Sequence, residues 1–167
     1  QIFCSMSPEI FLIQNELEIA TFPIKGTGAE KELQESEKEI SELSMVTDLL
    51  RNDFGQICAR VETKRERFLS AENHFFHAQS DIRGTLKRSF CWEDFQTLLP
   101  AGSISGAPKK RVLESILKLE DFERQFYTGT FGVRFSSQKS IFNILIRTLF
   151  LKENQWHFPV GAGITVD

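Results

Sequence analysis

The sequence predicts an α+β fold built on antiparallel sheets. Short segments rich in Ile, Leu, Val and Phe, bounded by turn residues, recur from one end of the chain to the other. Longer stretches between them carry apolar residues at helical spacing instead. The two kinds do not alternate in the regular strand–helix–strand order that a parallel sheet requires.

Taken in order, Gln1–Ser5, Ile10–Ile13 and Glu18–Phe22 read as strands. Glu30 to Leu50 reads as one long helix, charged in its first half, with Ile40, Leu43, Val46, Leu49 and Leu50 at helical spacing in its second. Asn52, Asp53 and Gly55 place its end near residues 51–55. Val61–Arg65 and Phe75–Ile82 read as strands, the second alternating Phe75, His77 and Gln79 with Phe76, Ala78 and Ser80. Cys91–Leu98 is a short amphipathic helix, followed by the loop Pro100–Pro108 and a helix from Lys109 to Leu119. Tyr127–Phe135, Ile141–Leu151 and Trp156–Val160 read as three consecutive strands with antiparallel pairing. No repeat, low-complexity tract or composition shift divides the chain, so residues 1–167 read as a single domain.

The composition is that of a globular protein, 41% hydrophobic and 26% charged, and the length allows a real core. The formal charge of −3 is spread along the chain, so there is neither a nucleic-acid footprint nor a basic membrane-surface patch. No apolar run reaches the length of a membrane span. Cys4, Cys58 and Cys91 are odd in number, far apart and without a CxxC pair. They predict reduced thiols in a cytoplasmic setting rather than a disulfide frame or a zinc site.

Lys25 stands in Phe22-Pro23-Ile24-Lys25-Gly26-Thr27, between an apolar run and a glycine turn. Proline fixes φ and glycine permits unusual φ/ψ, so the backbone there is held in one shape, and a lysine on such a turn can serve as a nucleophile once desolvated. The same pattern also suits a solvated surface charge. Gly102-Ser103-Ile104-Ser105-Gly106 departs from a P-loop, because Pro108 directly precedes Lys109 and no Ser or Thr follows. Its backbone amides could bind a carboxylate; alternatively it is a helix start with Ser105 near the cap and Pro108 in the first turn. His74 and His77 fall on opposite faces of a strand, which argues against a two-histidine metal site. His77 alone suits either a substrate contact or a packed residue. Glu42 lies beside Met45, Val46 and Leu49, where an inward carboxylate would need a cation such as Mg²⁺; an ion pair with Lys38 on a solvated flank is the alternative.

Read in order, Ser7-Pro8-Glu9-Ile10-Phe11-Leu12, PIKGT at 23–27, Glu42 in SELSMVTDLLRNDFG and His77 in HAQSDIRGTL form the first half of a pattern. GSISGAPKKRV at 102–112, YTGTFG at 127–132, IRT at 146–148 and GAGI at 161–164 complete it. Across its whole length the chain resembles the chorismate-utilising enzymes, which include anthranilate synthase component I, aminodeoxychorismate synthase component I, isochorismate synthase and salicylate synthase. The fold this resemblance implies is a layered α/β sandwich of the anthranilate synthase component I type, antiparallel sheets with helices outside. Anthranilate synthases carry alanine at the position of Lys25, whereas PIKGT is similar to aminodeoxychorismate synthase.

The resemblance implies roles residue by residue. Lys25 would attack C2 of chorismate as the C4 hydroxyl leaves, and ammonia would then displace it by attacking C4. Glu9 would protonate the departing hydroxyl, with His77 beside it. Glu42 would bind Mg²⁺ at the ring carboxylate. Tyr127 and Arg147 would hold the pyruvyl carboxylate, helped by backbone amides of Gly161, Ala162 and Gly163. Thr27, Ser105 and Gly106 would line the site near Lys25. Ammonia would come from a separate glutamine amidotransferase subunit or domain, since no glutaminase triad is present. The family's GAGI strand leads into a helix whose glutamates complete the Mg²⁺ site. The expectation is therefore a partial domain, truncated at both ends and inactive by itself.

Overall fold

The computed structural model describes residues 2–163. Every strand pairing among them is antiparallel. The larger sheet is built from β2 (Ile10–Asn15), β3 (Glu18–Phe22), β4 (Ile24–Gly28), β5 (Cys58–Glu72), β6 (Phe75–Leu86), β7 (Thr130–Ser136) and β8 (Lys139–Ile144). Its order is β4-β6-β3-β2-β8-β7, with β5 on β6. A smaller sheet runs β1-β9-β10, from Ile2–Ser5, Thr148–Lys152 and Gln155–His157. The α+β expectation and the layered antiparallel architecture are thus what the chain adopts.

Helices α1 (Glu30–Glu35) and α2 (Glu37–Ile57) replace the single helix expected over Glu30–Leu50. Ser36 interrupts them in an extended conformation, and its hydroxyl accepts from the Glu39 amide at 3.3 Å, an N-cap. The end expected near 51–55 is also corrected. Leu43, Val46, Leu50, Phe54 and Ile57 form one buried stripe at spacings of three and four, so packing carries α2 through Gly55 to Ile57. From Val46 to Ile57 the stripe meets Leu12 and Ile19 of the central strands, Ile82 of β6 and Ile144 of β8 in a single core. Removing any one large side chain there would cost about 2–5 kcal/mol.

Helix α3 (Trp92–Leu98) and helix α5 (Lys109–Leu119) agree with the sequence reading, and one further turn, α4 (Gly102–Ser105), lies in the loop between them. Pro108, not Ser105, is the N-cap residue of α5. The strand expected over Ile141–Leu151 divides into β8 and β9, which belong to different sheets. Arg147 turns the chain between them with φ +49°, and backbone bonds from Met6 N–H to the Arg147 carbonyl and from Leu145 N–H to the Gly129 carbonyl hold the corner. No helix among the described residues is long and apolar enough to cross a membrane.

Candidate active site

Lys25 sits on a strand, which corrects the glycine-turn expectation. Between the pairs Ile24↔Gln79 and Thr27↔His77 the register of β4 on β6 slips by one residue, so Lys25-Gly26 forms a bulge. Bulges re-aim side chains. Gly26 has φ +82°, and a Cβ there would lie 2.8 Å from Leu33 Cδ2 and 2.9 Å from Glu39 Oε2, so only glycine fits. The bulge brings Lys25 to α4, where its Nζ donates to the Ser103 carbonyl at 3.2 Å.

Glu9 enters the same place from the loop before β2. Its carbonyl accepts from Ile144 N–H at 3.0 Å and its amide donates to Ser7 Oγ at 3.3 Å, which fixes the backbone. The side chain is buried, and burial pushes its pKa above the ordinary 4.5. A hydrogen bond from the Ser103 side chain and the charge of Lys25 oppose that rise. A carboxyl whose pKa is raised by burial holds its proton more readily than an exposed one, which suits an acid that protonates a leaving group.

On the neighbouring stretch of the sheet, Thr27 and His77 are register partners of β4 and β6. Thr27 Oγ1 lies 2.8 Å from His77 Nδ1, and Glu72 Oε2 lies 3.2 Å from His77 Nε2. His77 is buried, whereas His74 occupies the exposed turn between β5 and β6. Ser103 and Glu72 were not singled out from the sequence. Ser103 lies inside the GSISGAP loop, whereas Glu72 has no sequence signal except its nearness to the β5–β6 turn.

Ser105 is buried, and its hydroxyl donates to the Ala101 carbonyl at 3.2 Å, within its own turn. Gly106 follows with φ +89°. Glu42 is half-buried on α2. No group of three His, Cys, Asp or Glu side chains converges to hold a metal among the described residues. One carboxylate fits Mg²⁺ only as a partial ligand set, completed by further oxygens.

Tyr127 is half-buried, and its Oη packs so closely on Gly161 that a Cβ there would lie 2.4 Å away. Ala162 and Gly163 are exposed, and Ile164 of the GAGI motif lies outside the described residues. The Arg147 side chain is exposed. The structure thus joins Glu9, Lys25 and Ser103 in one cluster and Thr27, His77 and Glu72 in another, linked through β4. Tyr127 and Gly161 meet each other, and no described hydrogen bond ties them or Arg147 to Lys25. A cavity of about 500 Å³ between Phe122, Arg124, Phe150, Lys152, His157 and Phe158 shares no residue with either cluster.

Comparison with known proteins assigns this geometry a lineage. A PabA-like protein of Haemophilus influenzae is 33% identical over 179 residues, covering 98% of this chain and 54% of its own length. Aminodeoxychorismate synthase component 1 of Bacillus subtilis is 33% identical over 181 residues, 100% of this chain and 38% of its own. The solved structure of anthranilate synthase component I from Streptococcus pneumoniae superposes with a TM-score of 0.81 at 31% identity, over 92% of this chain and 37% of that one. The chain therefore spans about half, or less, of the length of these relatives. The family described as chorismate binding enzyme matches residues 1–167, and the chain belongs to that family.

Proposed function

We propose that the protein aminates chorismate as an aminodeoxychorismate synthase component I, through a covalent adduct on Lys25. The observation that carries this reading is the convergence of the Lys25 amine and the buried Glu9 carboxyl on Ser103. An amine and a protonated acid are the two groups the substitution needs, and a lysine at this place in PIKGT is the feature that is similar to aminodeoxychorismate synthases.

In the first step the neutral Lys25 amine attacks C2, the ring double bonds shift, and the C4–O bond breaks. Glu9 donates its proton, so the hydroxyl departs as water. Ammonia then attacks C4, the C2–N bond breaks, and Lys25 leaves as a neutral amine. The new C4 ammonium returns a proton to the Glu9 carboxylate. Chorismate and ammonia have given 4-amino-4-deoxychorismate and water, and one difficult substitution has become two easier ones.

The remaining assignments support this chemistry. Thr27 and His77 would stand beside the leaving hydroxyl, with Ser105 and Gly106 lining the site. Tyr127, Arg147 and the backbone of Gly161, Ala162 and Gly163 would bind the pyruvyl carboxylate. Glu42 would supply one ligand to Mg²⁺, which when bound neutralises the ring carboxylate. Ammonia would come from a glutamine amidotransferase partner, and the product would lead to p-aminobenzoate and folate. The three free cysteines suit a reducing, cytoplasmic setting.

The resemblance to anthranilate synthase component I at 31% identity gives the second reading. The test incubates the complete protein with chorismate, Mg²⁺ and ammonium and identifies the product by mass spectrometry. Aminodeoxychorismate is expected; anthranilate, isochorismate or salicylate would keep the family and overturn the reaction.

A further inference from the structure

The site described above uses Ser103 as a fixed point, yet Ser103 lies in an isolated helical turn that needs an anchor of its own. Asp53 supplies the clue. It is buried on α2, only 3% exposed, between Leu50 and Phe54 of the apolar stripe, where a carboxylate is costly unless paired. Its partner is Lys109, the first residue of α5, whose Nζ lies 2.5 Å from Asp53 Oδ2. The same ammonium donates to the Leu98 carbonyl, at the last residue of α3, at 3.3 Å. One cation therefore gathers the end of α3, the start of α5 and the C-terminal part of α2.

The segment between those attachment points contains α4. Gly102 begins it, packed so that a Cβ would lie 2.5 Å from Leu49 Cδ2 on α2 and 3.3 Å from Lys109 Cε. The Lys109 stem and Leu49 thus form the floor on which Gly102 rests, and Ser103 is the next residue of the turn. The Ser103 carbonyl then receives Lys25.

We propose that Asp53 and Lys109 are a positioning pair for the reacting lysine: by clamping both ends of residues 98–109 to α2 they fix the Ser103 carbonyl, and so the place of the Lys25 amine. This rests on the reading of Lys25 as the nucleophile. Neither Asp53 nor Lys109 touches substrate in this account. The clamp acts through Ser103, and a displacement of about 1 Å in a reacting group costs on the order of a hundredfold in rate.

The test must separate positioning from bulk stability. Breaking a buried ion pair on one side is costly, whereas replacing both members with apolar residues of similar size is often neutral. The complete protein is compared with Asp53→Leu/Lys109→Met and, as a gentler variant, Asp53→Asn. Three quantities are read: Tm, kcat and KM for chorismate, and the rate at which an amine-acetylating reagent labels Lys25 relative to exposed Lys64 in the same digest. The expected result for the double variant is a Tm near that of the unaltered protein, kcat lowered about tenfold or more with KM changed much less, and a Lys25:Lys64 labelling ratio shifted several-fold. Asp53→Asn, close in shape to the original, should shift the same ratio in the same direction by a smaller factor. A folded variant with unchanged kcat and unchanged labelling ratio overturns the proposal, as does a lowered Tm with the ratio unmoved in both variants. If the unaltered protein forms no aminodeoxychorismate, the amination reading falls, while the labelling ratio still decides whether the pair holds Lys25.

Discussion

Lys25 Nζ donates to the Ser103 carbonyl at 3.2 Å, across 78 residues of sequence. The bond joins a bulged strand to an isolated helical turn, and it determines where the amine stands. An arginine at position 25 would keep a donor for that carbonyl but supply no nucleophile, because its guanidinium stays protonated. Lys25→Arg is therefore expected to hold its Tm within a few degrees while losing at least about a hundredfold in kcat, and Lys25→Ala to lose as much activity. Intact mass spectrometry after mixing with chorismate provides the second readout: an adduct on the unaltered protein and none on either variant. Lys25→Ala with unchanged amination would end the covalent mechanism.

Glu9 makes stability depend on pH in a defined direction. Burial raises its pKa above 4.5, so between that value and the folded-state pKa the native chain holds a proton that the unfolded chain has released. More protons bound in the native state mean stability falls as pH rises through that window, and the contribution is fully present only below it. Glu9→Gln removes the penalty because the amide does not ionise. The variant should be more stable than the unaltered protein at pH 7, with the difference shrinking toward zero at pH 4, while kcat falls by about 10²–10⁴-fold. Calorimetric unfolding at the two pH values is the measurement; a difference that grows on acidification would contradict a buried, proton-holding Glu9.

Much of this site was legible from the order of its motifs, and the parts that were not have physical reasons. The strands at Glu18–Phe22 and Phe75–Ile82 and the helix at Lys109–Leu119 were readable because local pattern and tertiary burial agree there. The end of α2 is not legible because Asn52, Asp53 and Gly55 look like a stop, and only the core contacts of Phe54 and Ile57 override them. The division of 141–151 into two sheets depends on a left-handed Arg147, a conformation that sequence does not announce for a non-glycine residue. The register slip that lifts Lys25 toward Ser103 is a relation between β4 and β6, and no property of PIKGT alone contains it.

Gly26 is where that slip can be tested. Alanine would have to adopt φ near +82° and displace Leu33 Cδ2 and Glu39 Oε2, both under 3.0 Å from its Cβ. The backbone term alone is about 1–2 kcal/mol. Leu33 is buried on α1 and Glu39 is half-buried on α2, but the atoms in the way are the ends of their side chains, so the change should lower Tm by several degrees without abolishing folding. Because the bulge would relax toward regular pairing, kcat should fall more than stability suggests. Equal retention of kcat and Tm in Gly26→Ala would show that the bulge is not needed to aim Lys25.

Cys58 offers a probe of core integrity for all these variants. It is 4% exposed at the junction of α2 and β5, and burial pushes its pKa up to about 11 from the ordinary 9.0, with nearby Lys87 pulling slightly the other way. At pH 8 that leaves about one thiol in a thousand ionised, against about one in ten at the ordinary value. Cys4 is exposed and Cys91 partly so. Iodoacetamide at pH 8 is therefore expected to modify Cys4 readily and leave Cys58 intact in the folded protein, while all three react in guanidinium. Gly84→Ala gives the converse. Its Cβ would lie 2.5 Å from Cys58 Sγ and 3.2 Å from Phe54 Cδ2, an overpacking worth about 1–3 kcal/mol. The variant should unfold at lower temperature and expose Cys58 to alkylation, and if Cys58 stayed unreactive with an unchanged Tm, the close packing of β6 on the end of α2 would be refuted.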